Sequence, residues 1–332
     1  MNNKEKYIEF CNAENICIFS QYWWLDAVSQ SDGWDVILCE KGGSILAALP
    51  YSFTSSRKGI EIYQDKLTQK NGIFIKYPPK QKYTSRLSFE KKVMKEIITK
   101  LEECNLCKYT QNFDYTVTNW LPFYWNGYNQ TSRYTYIIED TNDLEKIYSD
   151  VDSSTKNIIR KAEKLVKVKE DLDIHSFYEI NKMTFERKGM QIPYSYELLS
   201  RIDEECKKRQ CRKILYAVDA EENIHAAIYL VWDKTSVYYL LGGINPNYKN
   251  SNATSLLLKV AIELAGGMNL KFDFEGTMNR EIEEFFSSFG GKQIQYFTIS
   301  KSFKFNLRDT LMFIVSSSPK LKRRLKLLLN NK

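Results

Sequence analysis

The sequence predicts an α/β protein of mixed, mainly antiparallel sheets flanked by helices and divided into two halves. Three observations predict it. Short segments alternating apolar and polar residues recur along the chain, separated by stretches whose apolar positions fall at helical spacing. The second half reads as two helices, three strands joined by short turns, then helix, strand, helix, strand. Finally, 332 residues with 43% apolar and 14% aromatic content suffice for two ordinary cores and fit no disorder class.

In chain order, residues 22–29 predict a helix capped by Ser20. Strands follow over 34–40 and 45–53 around the turn Lys41-Gly42-Gly43-Ser44, then over 60–63 and 72–77, ended by Pro78-Pro79. Phe89, Val93, Ile97, Ile98 and Leu101 line one face of a helix over 87–104, and strand character returns over 109–115 and 133–139. Asp143, and either Asp152 or Ser153, can cap two short helices, the second carrying Lys156, Arg160, Lys161, Lys164 and Lys167. This basic helix is either a solvated face or an anion contact, with Arg160 and Lys161 facing phosphates across a cleft. Helices are expected over 174–187 and 195–209, strands over 214–219, 224–233 and 236–241, a helix over 251–266, a strand over 270–275, a helix over 282–289 and a last strand over 293–301. We therefore expect an N-terminal domain over 1–145, basic interdomain helices over 146–170, a second domain over 171–303 and a basic amphipathic helix over 304–332.

The stretch 270–291, LKFDFEGTMNREIEEFFSSFGG, carries the chemistry. Leu270, Phe272 and Phe274 alternate with Lys271, Asp273 and Glu275, and Gly276 punctuates a strand-to-helix turn. Asp273 and Glu275 then stand on one strand face at a carboxyl end, where open α/β sheets bind ligands. The acids are either solvated or capping groups, or a catalytic pair in which Glu275 is the better placed general base. Tyr238 and Tyr239 alternate faces, so one should point to the core and the other to a cleft.

Other chemistries have little support. His175 and His225 are the only histidines and neither sits in a nucleophile motif; His225 reads as a buried, satisfied ring. Cys104-x-x-Cys107 has no second pair, no metal site is read, and seven scattered cysteines suit reduced thiols. No signal peptide or membrane span is read, which places the protein in the cytoplasm. Charge is concentrated at the end: residues 301–332 hold nine Lys/Arg and one acid, a net +8, against −1 for the preceding 300 residues. Leu321, Leu325, Leu328 and Leu329 face away from Lys320, Lys322, Arg323, Arg324 and Lys326. Such a helix could dock on its own domain, lie on the inner face of the membrane, or bind RNA.

Four stretches carry a family resemblance. Ser20-Gln21 with Trp24 and Gly33-Trp34, then STKNIIRKAEK, FDFEG, and Phe285-Phe286 to Phe289-Gly290-Gly291, resemble in order the FemAB branch of the GNAT acyltransferase superfamily. The resemblance implies tandem GNAT-like domains around a substrate cleft. It also implies transfer of an acyl or aminoacyl group onto an amine of a nucleotide-linked or lipid-linked envelope precursor, for peptidoglycan or polysaccharide. The co-substrate would be aminoacyl-tRNA or acyl-CoA, with no tightly bound cofactor. Substrate contacts fall on Arg160, Lys161, Lys156, Tyr238, Tyr239 and Trp24, and catalysis on Glu275 and Asp273. Backbone amides at the end of the strand, Leu241 to Ile244, would hold the oxyanion, and Gly243 and Ile244 would contact the co-substrate. The GNAT diphosphate loop is matched by Tyr248–Lys249–Asn250–Ser251–Asn252–Ala253–Thr254, without its glycines; Lys249 would contact phosphate and Asn252 take the positive φ. Two other readings stand beside this one, an ordinary acyl-CoA-dependent N-acyltransferase and a non-catalytic GNAT-like binding module.

Overall fold

The computed structural model of the protein describes residues 1–303. The first half contains α1 (Asn3–Ala13), α2 (Tyr22–Ser29), β1 (Trp34–Lys41), β2 (Ser44–Ser56), β3 (Gly59–Tyr63), β4 (Phe74–Ile75), α3 (Tyr83–Glu102), β5 (Leu106–Asn112), α4 (Leu121–Trp125) and β6 (Asn129–Ile138). The second contains α5 (Leu144–Asp150), α6 (Ser153–Ala162), β7 (Lys167–Glu170), α7 (Ile174–Glu186), α8 (Tyr196–Lys208), β8 (Arg212–Val218), β9 (Ile224–Trp232), β10 (Ser236–Ile244), α9 (Ala253–Gly267), β11 (Lys271–Asp273), α10 (Arg280–Ser287) and β12 (Lys292–Ser302). The amphipathic helix expected over 304–332 lies outside the described residues.

These strands form one continuous sheet in the order β1-β2-β3-β5-β12-β6-β11-β10-β9-β8-β7, with β4 added to β2. The two halves exchange strands. β12, last in sequence, lies between β5 and β6 of the first half, pairing Ile299 with Gln111 on one side and Gln295 with Tyr134 on the other. β6 in turn pairs with β11 of the second half.

Successive residues of the second-half strands serve different cores, as a sheet covered on both faces requires. Leu215, Ala217, Ala226, Ile228 and Phe272 pack under α6 and α9. Ile214, Tyr229, Val231 and Tyr238 pack under α7, α8 and also α2, which reaches over from the first half. Arg201 on α8 donates to the Ala27 carbonyl at 2.9 Å and ties α2 in place.

Several elements differ from expectation. α1 is additional, held by a capping box in which the Asn2 side chain accepts from the Glu5 amide and the Glu5 carboxylate accepts from the Asn2 amide. Gln21, not Ser20, stands at the N-cap of α2; Ser20 is buried and its carbonyl accepts from Tyr7. The strand expected over 72–77 shrinks to β4, with Gly72 in the left-handed region at φ +83° ahead of it. β7, KVKE, is a charged edge strand, which alternation of apolar and polar residues does not reveal. β10 runs on to Ile244, with Gly242 and Gly243 pairing with β9, and β11 stops at Asp273.

Candidate active site

The site forms where two parallel strands part. β10 and β11 pair from Ser236 and Lys271 to Tyr238 and Asp273, after which β10 continues alone. The gap opens into a cavity of about 580 Å³. Tyr239, Leu241 and Gly242 line it from β10, Phe274 to Thr277 from the end of β11, and Phe285 and Phe286 from α10. Arg187 and Lys188, at the end of α7, lie at its exposed mouth.

Asp273 and Glu275 do not share a strand face, because β11 ends between them and Glu275 turns into the left-handed region at φ +60°. Asp273 is fully buried. It is ion-paired with Lys70, accepts from Thr135 Oγ1 at 2.6 Å and accepts from the Glu275 amide at 2.9 Å. With these partners it acts as a structural anchor that holds the turn. Glu275 is 4% exposed and neither carboxylate oxygen has a hydrogen-bond partner among the described residues. Burial pushes its carboxyl well above the usual carboxylate range; Lys70 opposes this, while Asp273 and Asp114 reinforce it. Gly276 is required next to it: a Cβ there would stand 2.0 Å from the Tyr134 carbonyl oxygen.

Lys70 is the residue that sequence reasoning misses. It is 3% exposed, its ammonium 4.7 Å from the centre of the Tyr115 ring, 5.2 Å from that of Tyr238 and 4.0 Å from Asp114. Burial alone would lower its pKa, but Asp273, Glu275 and Asp114 outweigh burial and raise it, so it stays charged. Its contact with Asp273 spans 203 residues of sequence, and its own segment has no periodicity that would mark it. Asn181 does leave a signal, as a polar residue on the apolar face of α7 beside Phe177 and Ile180. Its side chain donates to the Gly242 carbonyl at 2.6 Å and accepts from Tyr194, pinning the end of β10.

The remaining expected residues separate. Tyr238 points into the core, donating to Asp233 at 2.9 Å, and Tyr239 faces the cavity with its hydroxyl held protonated by burial. Trp24 is wholly buried and donates to Thr68 at 3.0 Å, so it packs within the fold and does not line the cavity. Arg160 and Lys161 are exposed on α6, Lys156 donates to the Ser149 carbonyl, and none of the three lines the cavity. α6 turns Ile159 and Ala162 inward against α9, which sends its cations to solvent. The Ile244 amide donates to Thr184 at 2.9 Å, and Gly243 is pressed against α7, where a Cβ would lie 2.6 Å from the Asn181 backbone. The Ile244 amide is therefore already engaged. The β10 backbone is irregular at Leu240, where the register with β9 slips by one residue beside the cavity.

A second cavity, about 200 Å³, lies at the N-terminus of α9. Asn252 takes the left-handed conformation at φ +56° without glycine, and its side chain does not cap the helix. Lys249 and His225 also line this space, and His225 Nδ1 is buried without a hydrogen-bond partner among the described residues. Uncapped helix amides with two basic groups beside them fit a phosphate-bearing group such as the diphosphate of an acyl-CoA.

Comparison with known proteins agrees with this architecture. Residues 152–280 match the acetyltransferase (GNAT) domain family. Among solved structures, FemX superposes with a TM-score of 0.67 at 11% identity, covering 90% of this chain and 96% of its own. L-PGS from Bacillus licheniformis gives 0.55 at 10% identity over 94% of this chain and 96% of its own. The C-terminal domain of a proposed lysylphosphatidylglycerol synthetase from Agrobacterium fabrum gives 0.56 at 9% over 95% and 96%. No curated protein sequence matches. Residues 152–280 thus match a GNAT domain, and the whole chain has a fold of the FemX kind. The GNAT match over residues 152–280 spans the basic helix and the FDFEG stretch, two of the four stretches that carry the resemblance.

Proposed function

We propose that the protein transfers an acyl or aminoacyl group onto an amine of a nucleotide-linked or lipid-linked cell-envelope precursor, with Glu275 as general base. The observation that carries this reading is a buried carboxyl, without a hydrogen-bond partner among the described residues, lining a cavity in the β10–β11 gap. A carboxylate destabilised by burial accepts a proton more readily than a solvated one, so Glu275 can take the proton that the amine loses as it attacks the donor carbonyl. In this reading Tyr239, which lines the same cavity and whose hydroxyl burial keeps protonated, donates to the leaving group. Irregular backbone at Leu240 offers amide groups to the developing oxyanion. Lys70 and Asp273 hold the turn that aims Glu275, and Arg187 and Lys188 at the mouth can meet phosphates of the precursor or of charged tRNA.

A second reading rests on the α9 cavity, whose uncapped helix N-terminus and left-handed Asn252 suit an acyl-CoA donor. Thermal shift with acetyl-CoA, CoA, UDP-linked muropeptide and charged tRNA separates the two, since a ligand at 100 times its Kd stabilises by about 2.7 kcal/mol. A shift with muropeptide or charged tRNA, lost in Arg187→Ala, supports the first. A shift with acetyl-CoA, lost in Lys249→Ala, supports the second. No shift with any of the four would leave a GNAT-like binding module.

A further inference from the structure

We propose that the group transferred carries a bulky apolar substituent, an aromatic or branched side chain or a medium-length acyl chain, and that α10 supplies its pocket. The inference rests on the acyl-transfer reading above and names the kind of acyl group. Ile282, Phe285, Phe286 and Phe289 fall at i, i+3, i+4 and i+7 along this stretch of chain. The core uses only part of that face. Phe286 and Phe289 are buried in it, whereas Ile282 and Phe285 stay half-buried and line the cavity. The wall does not fold in to fill the space, because its rings brace one another. Phe286 meets Tyr239 edge-on at 5.7 Å between ring centres and Phe274 at 5.4 Å, and Phe285 meets Phe289 edge-on at 5.3 Å. Leu241 of β10 and Phe185 of α7 add half-buried apolar surface to the same cavity.

Charge separates the two ends of this space. Arg187, Lys188 and Glu281 are exposed, and among the lining residues Glu275 is the only acidic or basic side chain that is buried. Phosphates of either substrate therefore stay at the mouth, and the reacting atoms gather at Glu275. There the acceptor nitrogen bonds to the donor carbonyl carbon and the bond from that carbon to the carrier's oxygen or sulfur breaks. The proton given to Glu275 is balanced by one gained by the carrier. Tyr239 links this point to the wall: its ring rests on Phe286 and its hydroxyl lies over Gly242, where a Cβ would collide with it. A substituent on the carbonyl carbon then runs along Ile282 and Phe285. A lysyl or aspartyl group placed there would lose its hydration with no counter-charge to spare. A glycyl or acetyl group would leave the apolar wall uncovered and forgo about fourfold in kcat/KM for each methylene not buried.

The test uses the full chain with primary amides as carrier-free probes, titrated by ligand-observed NMR. Leucinamide, phenylalaninamide and hexanamide should bind about tenfold or more tighter than alaninamide, lysinamide and acetamide. Phe285→Ala should bring phenylalaninamide within about threefold of alaninamide. Ile282→Asp, in the first turn of α10 where an acid suits the helix N-terminus, should reverse the order of phenylalaninamide and lysinamide. A cooperative thermal transition checks that both variants fold. Transfer to UDP-linked muropeptide is then read with leucyl-, phenylalanyl-, alanyl- and lysyl-tRNA and with acetyl-CoA and hexanoyl-CoA. Preference for leucyl- or phenylalanyl-tRNA, or for hexanoyl-CoA, supports the proposal and identifies the carrier. Equal or tighter binding of the small or charged amides, or faster transfer of alanyl, lysyl or acetyl groups, would overturn the apolar pocket and leave Glu275 as the base. Apolar preference in binding with no transfer from any donor would overturn the acyl-transfer reading, and the proposal with it.

Discussion

Replacing Glu275 with glutamine separates a proton-holding carboxyl from an ionised one. The two side chains are nearly isosteric, and neither carboxylate oxygen of Glu275 has a hydrogen-bond partner among the described residues, so the variant changes little except titration. Burial raises the folded pKa. In the unfolded chain the group titrates near about 4.3. Below that pH both states hold the proton, and wild type and variant should unfold alike. As pH rises above it, the unfolded state releases its proton while the folded state retains it, so the folded state binds more protons and stability falls with pH. The slope is about 1.4 kcal/mol per pH unit until the folded carboxyl itself ionises. Glutamine lacks this slope, so Glu275→Gln should be the more stable protein at neutral pH, by about 2 °C in Tm for each kcal/mol. Differential scanning fluorimetry of both proteins from pH 4 to pH 8 reads the divergence. Parallel curves would mean that Lys70 keeps Glu275 ionised throughout, and a base with a raised pKa would then be the wrong description. Transfer activity should fall about 10²–10⁴-fold in the same variant, so it would be more stable and nearly inactive.

Further expectations follow from the same geometry. Lys70→Met leaves Asp273 buried without its cation and should cost about 3–5 kcal/mol in urea unfolding, much of it regained in Lys70→Met with Asp273→Leu. Gly276→Ala forces a Cβ against the Tyr134 carbonyl and should cost about 1–3 kcal/mol, with ligand-induced thermal shifts lost as the Glu275 turn moves. Arg160→Ala and Lys161→Ala should change stability by no more than about 0.5 kcal/mol and leave every ligand shift intact, whereas Arg187→Ala should weaken shifts from phosphate-bearing ligands.

The elements that periodicity defines were legible in the sequence. The long helix α3, the hairpin of β1 and β2, and the run from α7 to β10 all follow from apolar spacing and turn residues, which are local properties. Position 252 was legible too, since asparagine is among the few residues that tolerate the left-handed conformation found there. What could not be read is whatever depends on pairing across the chain. Nothing local marks Lys70 as the partner of Asp273, or β12 as a strand of the first half. The cations of α6 looked functional because charge can be read from sequence, but the side of the molecule they face is set by Ile159 and Ala162 packing on α9. At β11, alternation suggested that Asp273 and Glu275 lie on one face. The reversal at Glu275 depends on the close approach of Gly276 to Tyr134, which is a tertiary contact.

The exchange of β12 also orders events during synthesis. β5 and β6 are not neighbours in the finished sheet; the strand that joins them is made about 150 residues after β6 leaves the ribosome. At about 5–20 residues per second, the first half waits some 8–30 s with two unsatisfied strand edges facing an empty slot. During that interval the nascent chain is open to any strand that reaches it first, including the β12 of a neighbouring copy on the same message. Fast translation through residues 139–291 would shorten the exposure, and a chain cut short before β12 would lose the central strand of its first half as well as its own end.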